Sequence, residues 1–151
     1  MQTIEQTIDI AGTPSNILTA LTTENGVAGW WTDDCDVTAK QATYRFKRAD
    51  GERVVTFRVD DVTASSVVMT CTAQQNNPDW IGTKLSFAVS TTGDRTRVAL
   101  VHAGYPANNE CYAQCQRGWT HFMASLKKYI ETGVGEPFTK PVPDHAAARC
   151  S

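Results

Sequence analysis

Histidine is the side chain best suited to proton transfer near neutral pH, and this chain has three of them. His102 shares strand parity with Val98 and Leu100, so we expect its imidazole to point into the interior. There it can orient a ligand by a hydrogen bond or act as a general base. The alternative is a histidine satisfied by a backbone carbonyl. His121 falls on the solvent face of a predicted helix and His145 in a C-terminal tail, which makes both poor catalytic candidates.

Cysteine pairs can hold metals or exchange electrons, and Cys111 and Cys115 lie one helical turn apart on the predicted inward face of a helix. A zinc site needs about four ligands, yet no Cys-x-x-Cys or His-x-x-x-His motif accompanies the pair. We therefore interpret both thiols as small apolar core side chains. Glycine-rich phosphate loops, nucleophile elbows and HExxH motifs are also missing from the sequence. We expect no metal and no cofactor, and we assign no catalytic residue.

Aromatic side chains at inward positions favour a binding cavity over a reaction centre. Pockets for small molecules are mostly apolar, with a few polar groups that fix the orientation of the ligand. We expect Tyr44, His102 and Tyr105 to supply that polarity, and Trp80 is a further candidate. The alternative is that all of these rings simply fill the core. The predicted ligand-binding residues are Trp31, Tyr44, Phe46, Phe57, Trp80, Phe87, His102, Tyr105, Trp119, Phe122 and Met123.

Two tryptophan neighbourhoods mark the walls of the predicted cavity. Trp30 and Trp31 are adjacent at the end of a short helix and cannot face the same way. We expect one of them in the core and the other near the rim of the pocket. Gly118 precedes Trp119 on the long helix, just outside its inward arc. A glycine at that position predicts that the sheet or a ligand approaches the helix backbone closely.

Hydrophobic periodicity assigns these residues to a definite order of elements. A β-branched strand comes first, and Thr13 and Pro14 open a helix, because the hydroxyl can cap the first turn and proline needs no N–H partner there. Residues 24–31 form a second, short helix. Alternating apolar residues predict strands at 42–47, 55–59, 66–73, 80–90 and 95–103. An amphipathic helix follows from about 108 to 132, and Gly133 is its expected C-cap.

This order predicts an α+β fold, β-α-α-β(about 6)-α, in one domain. A curved antiparallel sheet with one apolar face must cover that face, and the long C-terminal helix is the only element large enough. We expect the sheet to wrap around that helix. A chain of 151 residues fits a single core. We place the domain at residues 1–137 and an extended, proline-containing tail at 138–151.

The charge balance and the hydropathy pattern exclude several partners. Lys and Arg total 14 against 16 for Asp and Glu, so nothing drives the whole chain toward nucleic acid. No apolar run reaches the roughly 20 residues of a membrane-spanning helix, and no signal-peptide pattern opens the chain. We expect a cytoplasmic protein without nucleic-acid or membrane partners. Four basic residues are predicted on the solvated outer face of the first hairpin: Arg45, Lys47, Arg53 and Arg58.

Four stretches carry a family likeness, in the expected order along the chain. They are ILTALTTENGVAGWWTDD (17–34), WIGTKLSFAV (80–89), RVALVHAGY (97–105) and GWTHFMASLKKYIETGVGEP (118–137). Together with the order of elements, they resemble the helix-grip, or Bet v 1-like, fold of the START-like (SRPBCC) superfamily. Within that superfamily they are similar to the AHSA1-like family, named after the activator of the Hsp90 ATPase.

The resemblance implies a cavity between the sheet and the long helix, where members of the superfamily enclose lipids, polyketides, hormones or other apolar molecules. We expect this chain to bind a small hydrophobic molecule there without catalysis. The alternatives are a cyclase- or hydrolase-like enzyme that uses His102, and a co-chaperone-like protein-interaction module. The Hsp90 activator has a separate N-terminal domain for which this chain has no room, which disfavours a chaperone partner. The sequence leaves the oligomeric state open, with a homodimer as one alternative.

Overall fold

The elements of the fold follow the predicted order. A computed structural model describes residues 2–48, 51–74, 78–105 and 111–138. The helices are α1 (Pro14–Thr22), α2 (Glu24–Trp30) and α3 (Cys111–Thr132), with a 3-10 turn at Pro78–Trp80. The strands are β1 (Gln2–Ile10), β2 (Asp34–Val37), β3 (Gln41–Arg48), β4 (Gly51–Val62), β5 (Ser66–Gln74), β6 (Lys84–Thr92) and β7 (Arg95–Tyr105). The α+β prediction with about six strands after two helices is confirmed. The short β2 strand was not predicted individually, because four residues are too few for a periodic pattern.

The seven strands form one antiparallel sheet in the order β1-β7-β6-β5-β4-β3-β2. The first strand pairs with the last, from Gln2 opposite Tyr105 to Ile10 opposite Thr96. Apart from that pairing, each strand lies beside its neighbour in the sequence. The two short helices are inserted between β1 and β2, which form the two edges of the sheet. In the fold, α1 packs against β5 and β6, α2 packs against β2, and both short helices contact α3.

The two short helices are fixed by a pair of threonine caps. The Thr13 hydroxyl accepts a hydrogen bond from the Asn16 amide at 3.1 Å, and Pro14 occupies the first turn, as predicted. Thr23 ends α1 and caps α2, since its hydroxyl accepts from the Gly26 amide at 3.0 Å. Gly26 lets the helices touch, because a Cβ there would lie 2.5 Å from the Ala20 Cα.

One basic residue departs from the prediction for the outer sheet face. Arg53 pairs with Phe46 in the β3–β4 ladder and is only 4% exposed, so the outer-face prediction is wrong for it. The reason is strand parity: Arg53 lies two residues before the inward Val55 and therefore shares its face. Arg58, by contrast, has a 60% exposed side chain. The Lys47 side chain lies outside the described residues.

The chain beyond α3 folds back onto the end of α2. Gly133, at a φ of 87°, ends the helix as predicted, with its amide donating to the Tyr129 carbonyl at 2.8 Å. Phe138 bridges to Thr32 and packs its ring 5.6 Å from that of Phe46. Phe138 thus packs on the body of the domain, although it was assigned to the tail. Residues 139–151 lie outside the described residues, and the domain boundary stays a prediction.

Candidate functional site

A dense aromatic cluster fills the space between α3 and the sheet. The Trp31 ring lies at its centre, 4.1 Å from the ring of Tyr44 and 5.1 Å from that of Trp119. Trp30 stacks on Trp31 at 5.4 Å, and its indole N–H donates to the Ala20 carbonyl at 2.8 Å. Both tryptophans are at most 3% exposed. Trp30 therefore occupies the core as expected of one of the pair, whereas Trp31 is buried in the cluster and not at an open rim.

The cluster leaves only a small cavity under α3. Its volume is about 20 Å³, which is room for roughly one water molecule. A Cβ at Gly118 would meet no atom within 4 Å, so this glycine borders empty space. The close approach of the sheet to the helix backbone that was expected at this position is not seen in the described residues. The large cavity expected between the sheet and the long helix is occupied by the protein's own rings. The lining residues are Trp31, Phe46, Val55, Gln74, Trp80, Cys115, Gly118, Trp119 and Phe122.

His102 is the hub of a buried hydrogen-bond chain beside this cluster. The Trp119 indole N–H donates to its Nδ1 at 3.1 Å, and the Tyr105 hydroxyl lies 2.9 Å from the same nitrogen. An indole can only donate, so Nδ1 must be an acceptor and the proton is assigned to Nε2. Nε2 then donates to the Thr83 hydroxyl at 2.8 Å. That hydroxyl donates in turn to the Trp80 carbonyl at 2.6 Å.

The environment of His102 keeps its ring neutral and closed to substrate. Its side chain is fully buried, and desolvation lowers its pKa to about 3. Burial also raises the pKa of Tyr105, and the neighbouring Cys115 raises it further. Both imidazole nitrogens already have partners, and His102 is not among the residues that line the cavity under α3. His102 points inward as predicted, but its geometry is that of a structural connector and leaves no position for a reacting atom.

The thiols in the described ranges have the surroundings of core side chains. Cys35, Cys71 and Cys115 are not joined in disulfides, and burial raises the pKa of Cys71 to about 12. Burial likewise raises the pKa of Cys115, against the opposing effect of Trp80 and Tyr105. The side chain of Cys111, its predicted neighbour one turn away, lies outside the described residues. Within those ranges, no three metal-ligating side chains come together.

The larger pocket lies at the other end of the sheet, under the two short helices. Its volume is about 620 Å³, within the range of small-molecule sites. We call it the α1–α2 pocket. One wall comes from α1 and the start of α2, and the other from β2 to β5. The lining residues are Leu21, Thr22, Thr23, Glu24, Val37, Thr38, Ala39, Ala42, Tyr44, Val59, Asp60, Asp61, Val62, Val67 and Met69.

The predicted site residues divide between these surroundings. Tyr44 lines the α1–α2 pocket. Five others border the small cavity under α3: Trp31, Phe46, Trp80, Trp119 and Phe122. Five are buried without lining either space: Phe57, Phe87, His102, Tyr105 and Met123. The prediction thus found the aromatic core and missed most of the pocket. The apolar inward positions of α1 and β5, such as Leu21, Val67 and Met69, were the sequence signal that could have identified the remaining lining residues.

A long helix laid on an antiparallel sheet, with two short helices after the first strand, defines a helix-grip domain. Residues 11–131 match the family of Activator of Hsp90 ATPase homolog 1-like proteins. Because this match covers well over half of the chain, the chain belongs to that family, a member of the SRPBCC superfamily. No match was found among curated protein sequences. In the described part of the chain, no helix is long and apolar enough to cross a membrane.

Solved structures agree with this assignment. The Aha1 dimer from Colwellia psychrerythraea is 30% identical, with a TM-score of 0.77 over 89% of this chain and 100% of that one. An AHSA1-like protein from Aeromonas hydrophila is 14% identical, with a TM-score of 0.64 over 85% and 93% of the two chains. Protein SSP2350 from Staphylococcus saprophyticus is 16% identical, with a TM-score of 0.71 over 89% and 96%. The last two show the shared fold alone.

Proposed function

We propose that this protein binds a small, mainly apolar molecule in the α1–α2 pocket. The observation that carries the proposal is a volume of about 620 Å³ bounded mostly by apolar side chains, in a fold whose other half holds a cavity of about 20 Å³. Val62 is one of the lining residues and is 49% exposed, so part of its apolar side chain faces solvent. Burying such surface against a ligand is favourable by about 25 cal/mol per Å². No step of the proposal requires a reacting residue.

The pocket is tested by titration with N-phenylnaphthylamine, a neutral fluorophore that brightens in apolar surroundings. We expect saturable binding to the wild-type protein. Val59→Phe places extra volume in the pocket, because Val59 pairs with the inward Met69, and it should weaken binding by roughly tenfold or more, a loss of at least about 1.4 kcal/mol. Val68→Phe is the matched control, since Val68 pairs with Ser86 on the opposite face. Absence of saturable binding, or equal effects of the two variants, would refute the proposal.

We also propose that the chain forms a homodimer. The support is one comparison: the similar Colwellia protein is described as a dimer. Light scattering coupled to size-exclusion chromatography tests this independently of ligand binding. A mass near twice 16.5 kDa is expected, and a monomer mass at high protein concentration would contradict it.

A further inference from the structure

The hydroxyl of Tyr44 is the buried polar group that the fold itself leaves least satisfied in the α1–α2 pocket. Tyr44 is 1% exposed, and its ring is held between Trp31 and Phe57. The hydroxyl's partner is the Met69 sulfur at 3.9 Å. A thioether is a weak acceptor, whereas buried hydroxyls normally find an oxygen or nitrogen partner. Tyr44 and Met69 both line the pocket, so their contact belongs to its wall.

The threonine hydroxyls that line the same pocket, unlike that of Tyr44, donate to oxygen acceptors within the protein. Thr22 donates to the Leu18 carbonyl at 2.7 Å, Thr23 to the Thr19 carbonyl at 2.8 Å, and Thr38 to the Gln41 carbonyl at 3.0 Å. Each of these protons is used by the backbone of the protein. Among the pocket-lining hydroxyls that the structure describes, Tyr44 alone has no oxygen acceptor. Burial raises the pKa of Tyr44, so the group stays a neutral donor at physiological pH.

The charges of the lining restrict the ligand further. Glu24, Asp60 and Asp61 are among the lining residues, and the lining contains no lysine, arginine or histidine. Glu24 already accepts a hydrogen bond from the Val37 amide at 3.0 Å, and Asp60 is paired with Arg58 at 2.7 Å. The Asp60 carboxylate faces Arg58, Thr70 and Lys84 on the opposite side of the sheet, so Glu24 supplies the acidic group toward the pocket. An anionic ligand would find no basic lining side chain to pair with and would meet the Glu24 carboxylate.

We propose that Tyr44 orients the ligand by donating its hydroxyl proton to a carbonyl or ether oxygen, and that the ligand is an uncharged apolar molecule with such an oxygen. This inference rests on the proposed function, because it requires the α1–α2 pocket to be the binding site. Donating to an oxygen replaces a weak sulfur contact by a full hydrogen bond in a buried position. Tyr44 thereby distinguishes oxygen-bearing ligands from plain hydrocarbons of the same shape.

The test compares three probes on wild-type protein and on Tyr44→Phe. Prodan is a neutral aromatic ketone whose emission shifts to the blue when its carbonyl loses a hydrogen bond. N-phenylnaphthylamine has no oxygen, and anilinonaphthalene sulfonate shares its skeleton but carries a negative charge. We expect Tyr44→Phe to lower the affinity for prodan relative to N-phenylnaphthylamine by roughly 3- to 10-fold. Bound prodan should also emit further to the blue in this variant, and the sulfonate should bind wild-type protein more weakly than N-phenylnaphthylamine.

Met69→Leu is the matched control, because it removes the sulfur partner and leaves the Tyr44 hydroxyl in place. It should not reduce the preference for prodan. If Tyr44→Phe weakens both neutral probes equally and leaves prodan emission unchanged, Tyr44 acts by shape only and the inference is overturned. Preference for the sulfonate would overturn the uncharged-ligand part. If no neutral probe binds saturably to wild-type protein, the proposed function fails, and this inference fails with it.

Discussion

Tyr105 and Tyr44 are both buried, yet they lie in opposite surroundings. The Tyr105 hydroxyl lies 2.9 Å from His102 Nδ1, inside a hydrogen-bond chain. The Tyr44 hydroxyl has a sulfur at 3.9 Å and borders a pocket of about 620 Å³. The half of the sheet under α3 therefore uses its polar groups to fix the fold. The half under α1 and α2 keeps space and one hydrogen-bond donor available for another molecule.

This difference shows how one sheet can serve two purposes. Under α3, rings such as Trp31 and Trp119 occupy the volume, and the Trp119 indole is hydrogen-bonded to the His102 ring. Under α1 and α2, smaller side chains such as Ala42 and Val67 line the wall and leave volume unfilled.

Trp119→Ala should be the most destabilising of these changes. Trp119 packs against Trp31 and Phe87 and donates to His102, so its loss opens a cavity and removes a hydrogen bond. We expect the free energy of unfolding to fall by about 3–5 kcal/mol. Val59→Ala, at the wall of the α1–α2 pocket, should cost about 1 kcal/mol, since it only enlarges an existing space. Urea unfolding followed by circular dichroism measures both, and similar losses would contradict the distinction between the halves.

The stability of the protein should depend on pH through His102, which lies in the half under α3. Its pKa is about 3 in the folded protein, below the ordinary value of 6.5. Between these values the unfolded chain binds a proton that the folded chain does not. The free energy of unfolding is therefore not reduced by His102 above about pH 6.5. It falls as the pH drops below that value, by up to about 1.4 kcal/mol per pH unit. His102→Gln should lose this slope between about pH 4.5 and 6.5. An unchanged slope in the variant would show that His102 does not titrate on unfolding.

Two helical glycines should respond to alanine with opposite signs. A Cβ at Gly26 would lie 2.5 Å from the Ala20 Cα and 2.7 Å from the Thr19 oxygen, so Gly26→Ala forces α1 and α2 apart. We expect a loss of about 1–3 kcal/mol. A Cβ at Gly118 meets nothing within 4 Å, so Gly118→Ala should stabilise α3 by about 0.5–1 kcal/mol. Thermal unfolding of both variants tests this, and destabilisation by Gly118→Ala would mean that the helix backbone is in fact closely packed there.

The two tyrosines give the smallest and most direct contrast. Tyr105→Phe removes a hydroxyl that is hydrogen-bonded to the His102 ring, and we expect it to cost about 1 kcal/mol. Tyr44→Phe removes a hydroxyl with only a thioether partner, so its effect on stability should stay within about 0.5 kcal/mol. Urea unfolding of the two single variants decides the point. Equal losses would show that the Tyr44 hydroxyl is better satisfied within the protein than its sulfur contact indicates.

Much of the fold could be predicted from the sequence, because its signals are local. Thr13 and Pro14 mark a helix start by their own chemistry, and period-two alternation marks strands and their inward faces. His102 was placed in the interior for that reason. The location of the pocket could not be predicted, because it depends on how tightly the helices approach the sheet. Ring packing around Trp31 is a tertiary property that no residue spacing reveals.

The most direct test of the two-half account is the location of a bound neutral probe. We expect N-phenylnaphthylamine, added to isotope-labelled protein, to shift the backbone amide resonances of Leu21, Ala42 and Met69 in a saturable manner. The amides around Trp119 should stay nearly unchanged, since the cavity there holds about 20 Å³. Shifts concentrated in α3, or no saturable shifts at all, would contradict the claim that the α1–α2 pocket is the binding site.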